Sequence, residues 1–154
     1  MGEVCGQVIY NEVGGRIEST RYLKYRNNMN CKVTIQVPDD QKILILLKHF
    51  ETEHFNDECV DYLNIYDGRN TSSQAMNMEP LCGKQPRFQM ETSGNFVTFH
   101  FVTDAMGVNS GFEFIYSAFV PSKHSSICEW VFCTTQIAMV TSTKYFHLAL
   151  NEYL

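Results

Sequence analysis

The stretch Cys59-Val60-Asp61-Tyr62-Leu63-Asn64-Ile65-Tyr66-Asp67-Gly68 decides what kind of fold this chain adopts. Within it Leu63 and Ile65 alternate with Tyr62, Asn64 and Tyr66, the period of two that a strand with one buried face requires. Asp67-Gly68 closes it, because Asp hydrogen-bonds its own backbone in turns and Gly tolerates the backbone angles that turns use. The stretch reads as a strand that opens near a cysteine and ends in a turn.

The same pattern repeats on both sides. Val33, Ile35 and Val37 alternate with Lys32, Thr34 and Gln36 until Pro38-Asp39-Asp40 breaks the run. Ile43 to Leu47 is a continuous apolar run of five, a length that suits a strand buried on both faces. Phe88 and Met90 form a short alternation after Pro86. Val97, Phe99 and Phe101 alternate with Thr98, His100 and Val102, and Phe112, Phe114 and Tyr116 with Glu113, Ile115 and Ser117. No segment before residue 120 keeps a 3.6-residue period with caps, so the chain is expected to be all-β, an antiparallel sandwich. Eight Tyr and eleven Phe lean the same way.

Composition bounds the rest. Of 154 residues, 44% are hydrophobic and 19% charged, enough for one packed domain and too apolar for wholesale disorder. Twelve basic against seventeen acidic residues give a charge of −5, which argues against a nucleic-acid binder working by counterion release. Six cysteines fall at 5, 31, 59, 82, 128 and 133, with no Cys-x-x-Cys to suggest a zinc ribbon or a thioredoxin-type site. Widely spaced even cysteines in a β-rich chain favour disulfides and an oxidising compartment. The sequon Asn70-Thr71-Ser72 agrees, being an acceptor for glycan only on the secretory route. The start, Met-Gly-Glu-Val-Cys, has neither a charged region nor an apolar run, so no signal peptide is present and the true beginning is expected upstream.

The composition changes after Pro121. Ser-Lys-His-Ser-Ser-Ile at 122 to 127 reads as a linker. The apolar patches at 137–140 and 145–150 are split by Thr141-Ser142-Thr143-Lys144 and fall short of the roughly 20 apolar residues of a membrane span.

Placed on this strand pattern, the cysteines carry a resemblance. Cys5-Gly6 opens it and Cys31 begins a strand; Phe50-Glu51-Thr52-Glu53 precedes the decisive stretch. Leu81-Cys82-Gly83, Thr103-Asp104, Gly111-Phe112 and Tyr116 follow. This order and spacing resembles the CUB domain, the extracellular β-sandwich module of complement proteases, tolloid-like proteases and many receptors. It covers residues 5 to 119, leaving 120–154 as a linker and an unassigned tail. The resemblance implies a jelly-roll sandwich with the pairs Cys5–Cys31 and Cys59–Cys82, where spacing alone leaves three pairings open. Class A repeats of low-density-lipoprotein receptors often follow such domains. They carry six cysteines and an acidic loop, whereas Cys128-Glu-Trp-Val-Phe-Cys133 supplies two, so the tail is either unrelated or a truncated cysteine-rich module.

Many CUB domains bind one calcium ion through a Glu and two Asp. The resemblance assigns these to Glu53, Asp61 and Asp104, with Tyr22 supporting the glutamate. Calcium wants six to eight hard oxygens, and carboxylates supply charge as well as oxygen. A Ser or Asn usually follows the last Asp closely; here Ala105-Met106-Gly107-Val108 intervene before Asn109, leaving backbone carbonyls for that part of the shell. Without the resemblance, Glu51, Glu53, Asp57, Glu58, Asp61 and Asp67 would read as a solvated acidic face. Asp67 reads as a turn residue, and Glu51 is not selected by the motif.

Other chemistry finds less support. His49-Phe-Glu-Thr-Glu-His54 is not His-Glu-x-x-His, and an extended chain points 49 and 54 to opposite faces, which argues against zinc. Ser93 and Ser110 border glycines, yet no Gly-x-Ser-x-Gly elbow exists. His100 reads as an ordinary sheet histidine. The expectation is a non-enzymatic, extracellular protein-binding module, secreted or part of an ectodomain, touching a membrane only through a parent chain. Its calcium-ordered acidic loops would accept Lys or Arg from a partner. Two alternatives are a spermadhesin-like carbohydrate or glycosaminoglycan binder, whose heparin form the charge of −5 opposes, and a non-catalytic piece of a modular extracellular protease.

Overall fold

The structure, a computed structural model, describes residues 1, 4–20, 24–56 and 58–121. Tyr22, the linker, Cys128, Cys133 and the rest of the tail lie outside the described residues.

Eleven strands and no α-helix occur among those residues. In chain order they are β1 (Val8–Tyr10), β2 (Gly14–Glu18), β3 (Asn30–Gln36), β4 (Lys42–Glu51), β5 (His54–Phe55), β6 (Glu58–Cys59), β7 (Tyr62–Asp67), β8 (Gln74–Ala75), β9 (Gln89–Glu91), β10 (Phe96–Val102) and β11 (Gly111–Phe119). They build a five-stranded sheet, β1-β3-β10-β7-β8, a four-stranded sheet, β2-β11-β4-β9, and a separate hairpin of β5 and β6. Every pairing is antiparallel except β1 with β3, which run parallel with Ile9 opposite Ile35. The expected antiparallel sandwich therefore carries one parallel edge strand.

The alternating residues do what a period of two demands. Val33, Ile35, Leu63, Ile65, Val97, Phe99 and Phe101 turn inward from the five-stranded sheet, and Ile43, Ile45, Leu47, Phe50, Phe112, Phe114 and Tyr116 belong to the other. Aromatic rings join the two layers: Phe99 lies 5.4 Å from Phe114, and Phe101 packs edge-on against Phe112 at 4.9 Å. Each fully buried side chain of this size contributes about 1.5–3 kcal/mol.

The apolar run from Ile43 to Leu47 corrects one expectation. Ile43, Ile45 and Leu47 are fully buried, but Leu44 and Leu46 face the other way and are only half-buried, so β4 is not buried on both faces. Leu47 and Phe50, three residues apart, both reach the core because the register against β11 shifts between Glu113 and Phe114. Lys48 is the extra residue of that bulge, and a bulge is the ordinary way for a strand to change which side it presents.

Both expected disulfides are present, with Cα atoms 5.2 Å apart for Cys5–Cys31 and 5.4 Å for Cys59–Cys82. The second ties the β5–β6 hairpin to the segment before Gly83.

Candidate metal centre

Three strand ends meet at one end of the sandwich. Glu53 follows β4, Asp61 immediately precedes β7, and Asp104 lies just beyond β10. Backbone bonds draw them together: Asp61 N donates to the Glu53 carbonyl at 3.2 Å, and Asp104 N donates to Asp61 Oδ1 at 2.9 Å. One carboxylate oxygen from each residue then lies within 4.8 Å of the others. Among the described residues this is the one group of three or more His, Cys, Asp or Glu with metal-ligand spacing. Asp61 is wholly buried, Glu53 half-buried and Asp104 exposed, so the cluster opens to solvent on the Asp104 side.

Asp61 is the best-held member. Tyr25 Oη donates to its Oδ2 at 2.5 Å, and Thr52 Oγ1 donates to its carbonyl at 2.8 Å. The same Tyr25 oxygen accepts the backbone N–H of Glu53 at 3.0 Å, so one buried tyrosine braces two of the three carboxylate residues. Burial, then the bond to Asp61, pushes the Tyr25 hydroxyl far up, keeping it a neutral donor. The ring is fixed edge-on against Phe101 at 5.3 Å. Tyr25 was not legible as a support: it stands three positions from Tyr22 in the sequence, and no periodicity distinguishes one tyrosine from the other.

The segment after Asp104 folds back over the cluster. Met106 N donates to Asp104 Oδ1 at 2.8 Å, Asn27 Nδ2 to the Ala105 carbonyl at 3.0 Å, and Asn109 Nδ2 to the Thr52 carbonyl at 3.2 Å. Gly107 sits directly against the Glu53 carboxylate, at φ +76°, and a Cβ there would overlap both carboxylate oxygens. Glycine is needed twice over, for the backbone angle and for the space. Gly107→Ala should therefore displace Glu53 and cost about 1–2 kcal/mol from the left-handed backbone alone. Melting curves with and without divalent cation test this. An unchanged cation response would mean that the Glu53 position does not matter.

Three negative charges at this spacing repel one another, and Glu53 Oε2 is buried with no hydrogen-bond partner among the described residues. Burial first, then the charges of Asp61 and Asp104, hold the Glu53 carboxyl above the usual glutamate range. The cluster has the chemistry of a hard divalent-cation site: oxygen donors only, surplus negative charge and an orphaned oxygen. A pH prediction follows for the cation-free protein. Because Glu53 keeps its proton to higher pH in the folded state than in the unfolded one, stability should fall as pH rises above the ordinary glutamate value and through the folded one. A bound cation should reverse that slope, since it prefers the ionised carboxylates. Urea unfolding in chelator across this range checks the sign. A cation-free stability that rises with pH there in wild type but not in Glu53→Gln would contradict it.

The remaining acids and histidines stand apart. Glu51 accepts the Ser110 hydroxyl at 3.0 Å, and Ser110 also meets His49 Nε2 at 2.7 Å. Asp67 takes the Ser93 N–H with both oxygens at 3.0 Å, at the far end of β7 from Asp61. His54 packs beside Gly83, and His100 Nε2 meets Asn30 Oδ1 at 2.8 Å on the outer face of the five-stranded sheet. Asn70 is exposed, its Oδ1 accepting Ser72 N at 2.9 Å.

Known proteins bear on this geometry. A family model described as CUB domain matches residues 5–116. Exoskeleton protein RP43 of Riftia pachyptila is 35% identical over 95 residues, 61% of this chain and 22% of RP43. Cubilin of Homo sapiens is 33% identical over 111 residues, 71% of this chain and 3% of cubilin. The chain thus spans only a small part of these relatives. Among solved structures, the CUB1-EGF-CUB2 domains of human MASP-1/3 superpose with a TM-score of 0.64 at 21% identity, over 75% of this chain and 42% of that one. The MASP-1 CUB2 domain bound to Ca2+ gives 0.60 at 23% identity, over 73% and 97%. At these identities the structures speak for the fold.

Proposed function

The chain belongs to the CUB domain family, and from that premise we propose that it is an extracellular protein-binding module with a calcium site formed by Glu53, Asp61 and Asp104. CUB domains are generally non-catalytic modules that mediate protein–protein interactions, although some sit in proteases. The carrying observation is the convergence of three carboxylates, one with a buried oxygen unpartnered among the described residues, on loops far apart in sequence. Calcium, when bound, supplies the positive charge that offsets their repulsion. The protein does the rest: Tyr25 and Thr52 hold Asp61, the Asp61 carboxylate holds the Asp104 backbone, and Gly107 leaves room for Glu53.

The ordered carboxylates then accept a Lys or Arg of a partner protein, a charge-assisted contact on a surface already fixed before encounter. An exposed ion pair is worth only about 0–1 kcal/mol, so neighbouring contacts must add to it. Phe55 and Met106, two residues beyond Glu53 and Asp104, are 69% and 74% exposed and suit that role. We assign the domain to residues 5–119 and a glycan to Asn70. β7 separates Asn70 from Asp61, which leaves the acidic end uncovered. Secretion, or an ectodomain of a parent chain, follows from the same reading.

The test is calcium-dependent stability. Sites in extracellular modules bind at about 10⁻⁴ to 10⁻³ M, so roughly 10 mM calcium should stabilise wild type by about 1.4–2.7 kcal/mol. Asp104→Ala should abolish this increment while changing the calcium-free melting point little. Among the described residues its exposed carboxylate takes only the Met106 N–H, and its bonds to Asn28 and Asp61 are made by its backbone atoms, which alanine keeps. An undiminished increment in Asp104→Ala would remove the ligand assignment.

A further inference from the structure

We propose that the edge of the four-stranded sheet at segment 83–88, which carries Lys84 and Arg87 and pairs with the stretch of β4 that carries Lys48, is a binding site for a linear sulfated glycan. The segment 83–88 runs antiparallel beside the end of β4. Leu47 N donates to the Phe88 carbonyl at 2.9 Å, Gln85 N to Phe50 at 3.3 Å and Thr52 N to Gly83 at 3.0 Å, with Lys84 opposite Glu51. Arg87 Nε donates to the carbonyl of Lys48, the bulge residue of β4, at 3.3 Å. Three cations are thus anchored on a hydrogen-bonded strand edge rather than on a loose loop.

None of the three is in an ion pair among the described residues. The pairs there join Arg16 to Glu18 and Glu113, and Lys42 to Glu91. Glu51 is the carboxylate that the pairing brings beside them, and it already accepts the Ser110 hydroxyl. The charge of −5 summed over the chain opposes a polyanion only weakly at this edge, because charges are screened over about 8 Å at physiological salt. A ligand lying along the edge responds to the cations under it.

The class of ligand follows from what the edge lacks. Protein partners are held at buried aromatic and apolar anchors. None of the exposed large apolar side chains among the described residues belongs to 83–88 or to 48–51. An extended track of charge without such anchors suits a polymer with regularly repeated anionic groups, bound through release of counterions. This site is separate from the acidic cluster and does not rest on its reading as a calcium site.

The test uses the full chain and a heparin dodecasaccharide, titrated calorimetrically between about 0.05 and 0.3 M NaCl. In Lys84→Ala/Arg87→Ala, affinity should fall about tenfold at roughly 0.15 M, and the slope against log salt should flatten by about 1.5–2, close to one per cation. Arg16→Ala, on the opposite edge of the sheet, should bind as wild type does. All three proteins should melt alike. Absence of wild-type binding at the lowest salt, or equal affinity in the double variant, would overturn the proposal. So would polyglutamate binding as tightly as heparin and being lost equally in the double variant, which would assign the edge to acidic protein segments.

Discussion

Asp61→Ala should melt below wild type even in a chelator, by about 1–3 kcal/mol, and should gain nothing from calcium. Two losses combine. The carboxylate accepts from the Tyr25 hydroxyl and from the Asp104 N–H, and alanine leaves that buried hydroxyl without its acceptor. It also removes the one wholly buried member of the carboxylate cluster. Asp61→Asn separates the two. Its single amide oxygen can replace one accepted bond, so the calcium-free loss should shrink, while the calcium increment stays absent because the charge is gone. Thermal unfolding with and without calcium measures both terms. Full calcium stabilisation in Asp61→Asn would mean that charge at this position is unnecessary. A calcium-free melting point equal to wild type in Asp61→Ala would mean that Tyr25 finds another acceptor.

Opening Cys59–Cys82 in the double variant Cys59→Ala/Cys82→Ala should cost about 2–5 kcal/mol, and a chain-entropy estimate for a loop of this size gives about 3 kcal/mol. The cost should not be confined to stability. The disulfide secures the hairpin of β5 and β6, which is the whole connection between Glu53 and Asp61. Freed from Cys82, the hairpin makes no ladder pairing with either main sheet among the described residues, so the spacing of Glu53 and Asp61 would rest on their backbone bond, Tyr25 and Thr52, and calcium affinity should fall. Opening Cys5–Cys31 closes no loop between two members of the cluster. Its variant should lose similar stability yet keep more of its calcium affinity at temperatures where both fold. Calcium titrations followed by tryptophan-independent means, such as calorimetry, decide between them. Equal affinities in the two double variants would show that the hairpin needs no staple to hold the site.

How much of this was legible depended on whether the determining interaction was local. The strands were, because side-chain alternation along one strand needs no knowledge of its partner: Val33, Ile35, Leu63, Ile65, Val97, Phe99, Phe101 and Phe114 are all fully buried. The run Ile43 to Leu47 was misread as doubly buried because apolarity states a preference, not what lies above a face; no third layer covers Leu44 and Leu46 among the described residues. The parallel pairing of β1 with β3 left no trace either, since strand direction depends on which edge a distant segment reaches.

The same division runs through the two surfaces. Residue spacing alone left three disulfide pairings open; it was the resemblance carried by the acids and cysteines together that implied Cys5–Cys31 and Cys59–Cys82, both present, and that proposed Glu53, Asp61 and Asp104 as ligands. Which tyrosine braces the cluster was decided by tertiary contacts: Tyr25 donates to Asp61 with its ring edge-on against Phe101 of β10, a residue distant in sequence. Lys48, Lys84 and Arg87 were invisible as a group inside a chain of net charge −5, for charge along a sequence adds without regard to place. The backbone pairing of 83–88 with the end of β4 brings them side by side, and only folding creates that proximity.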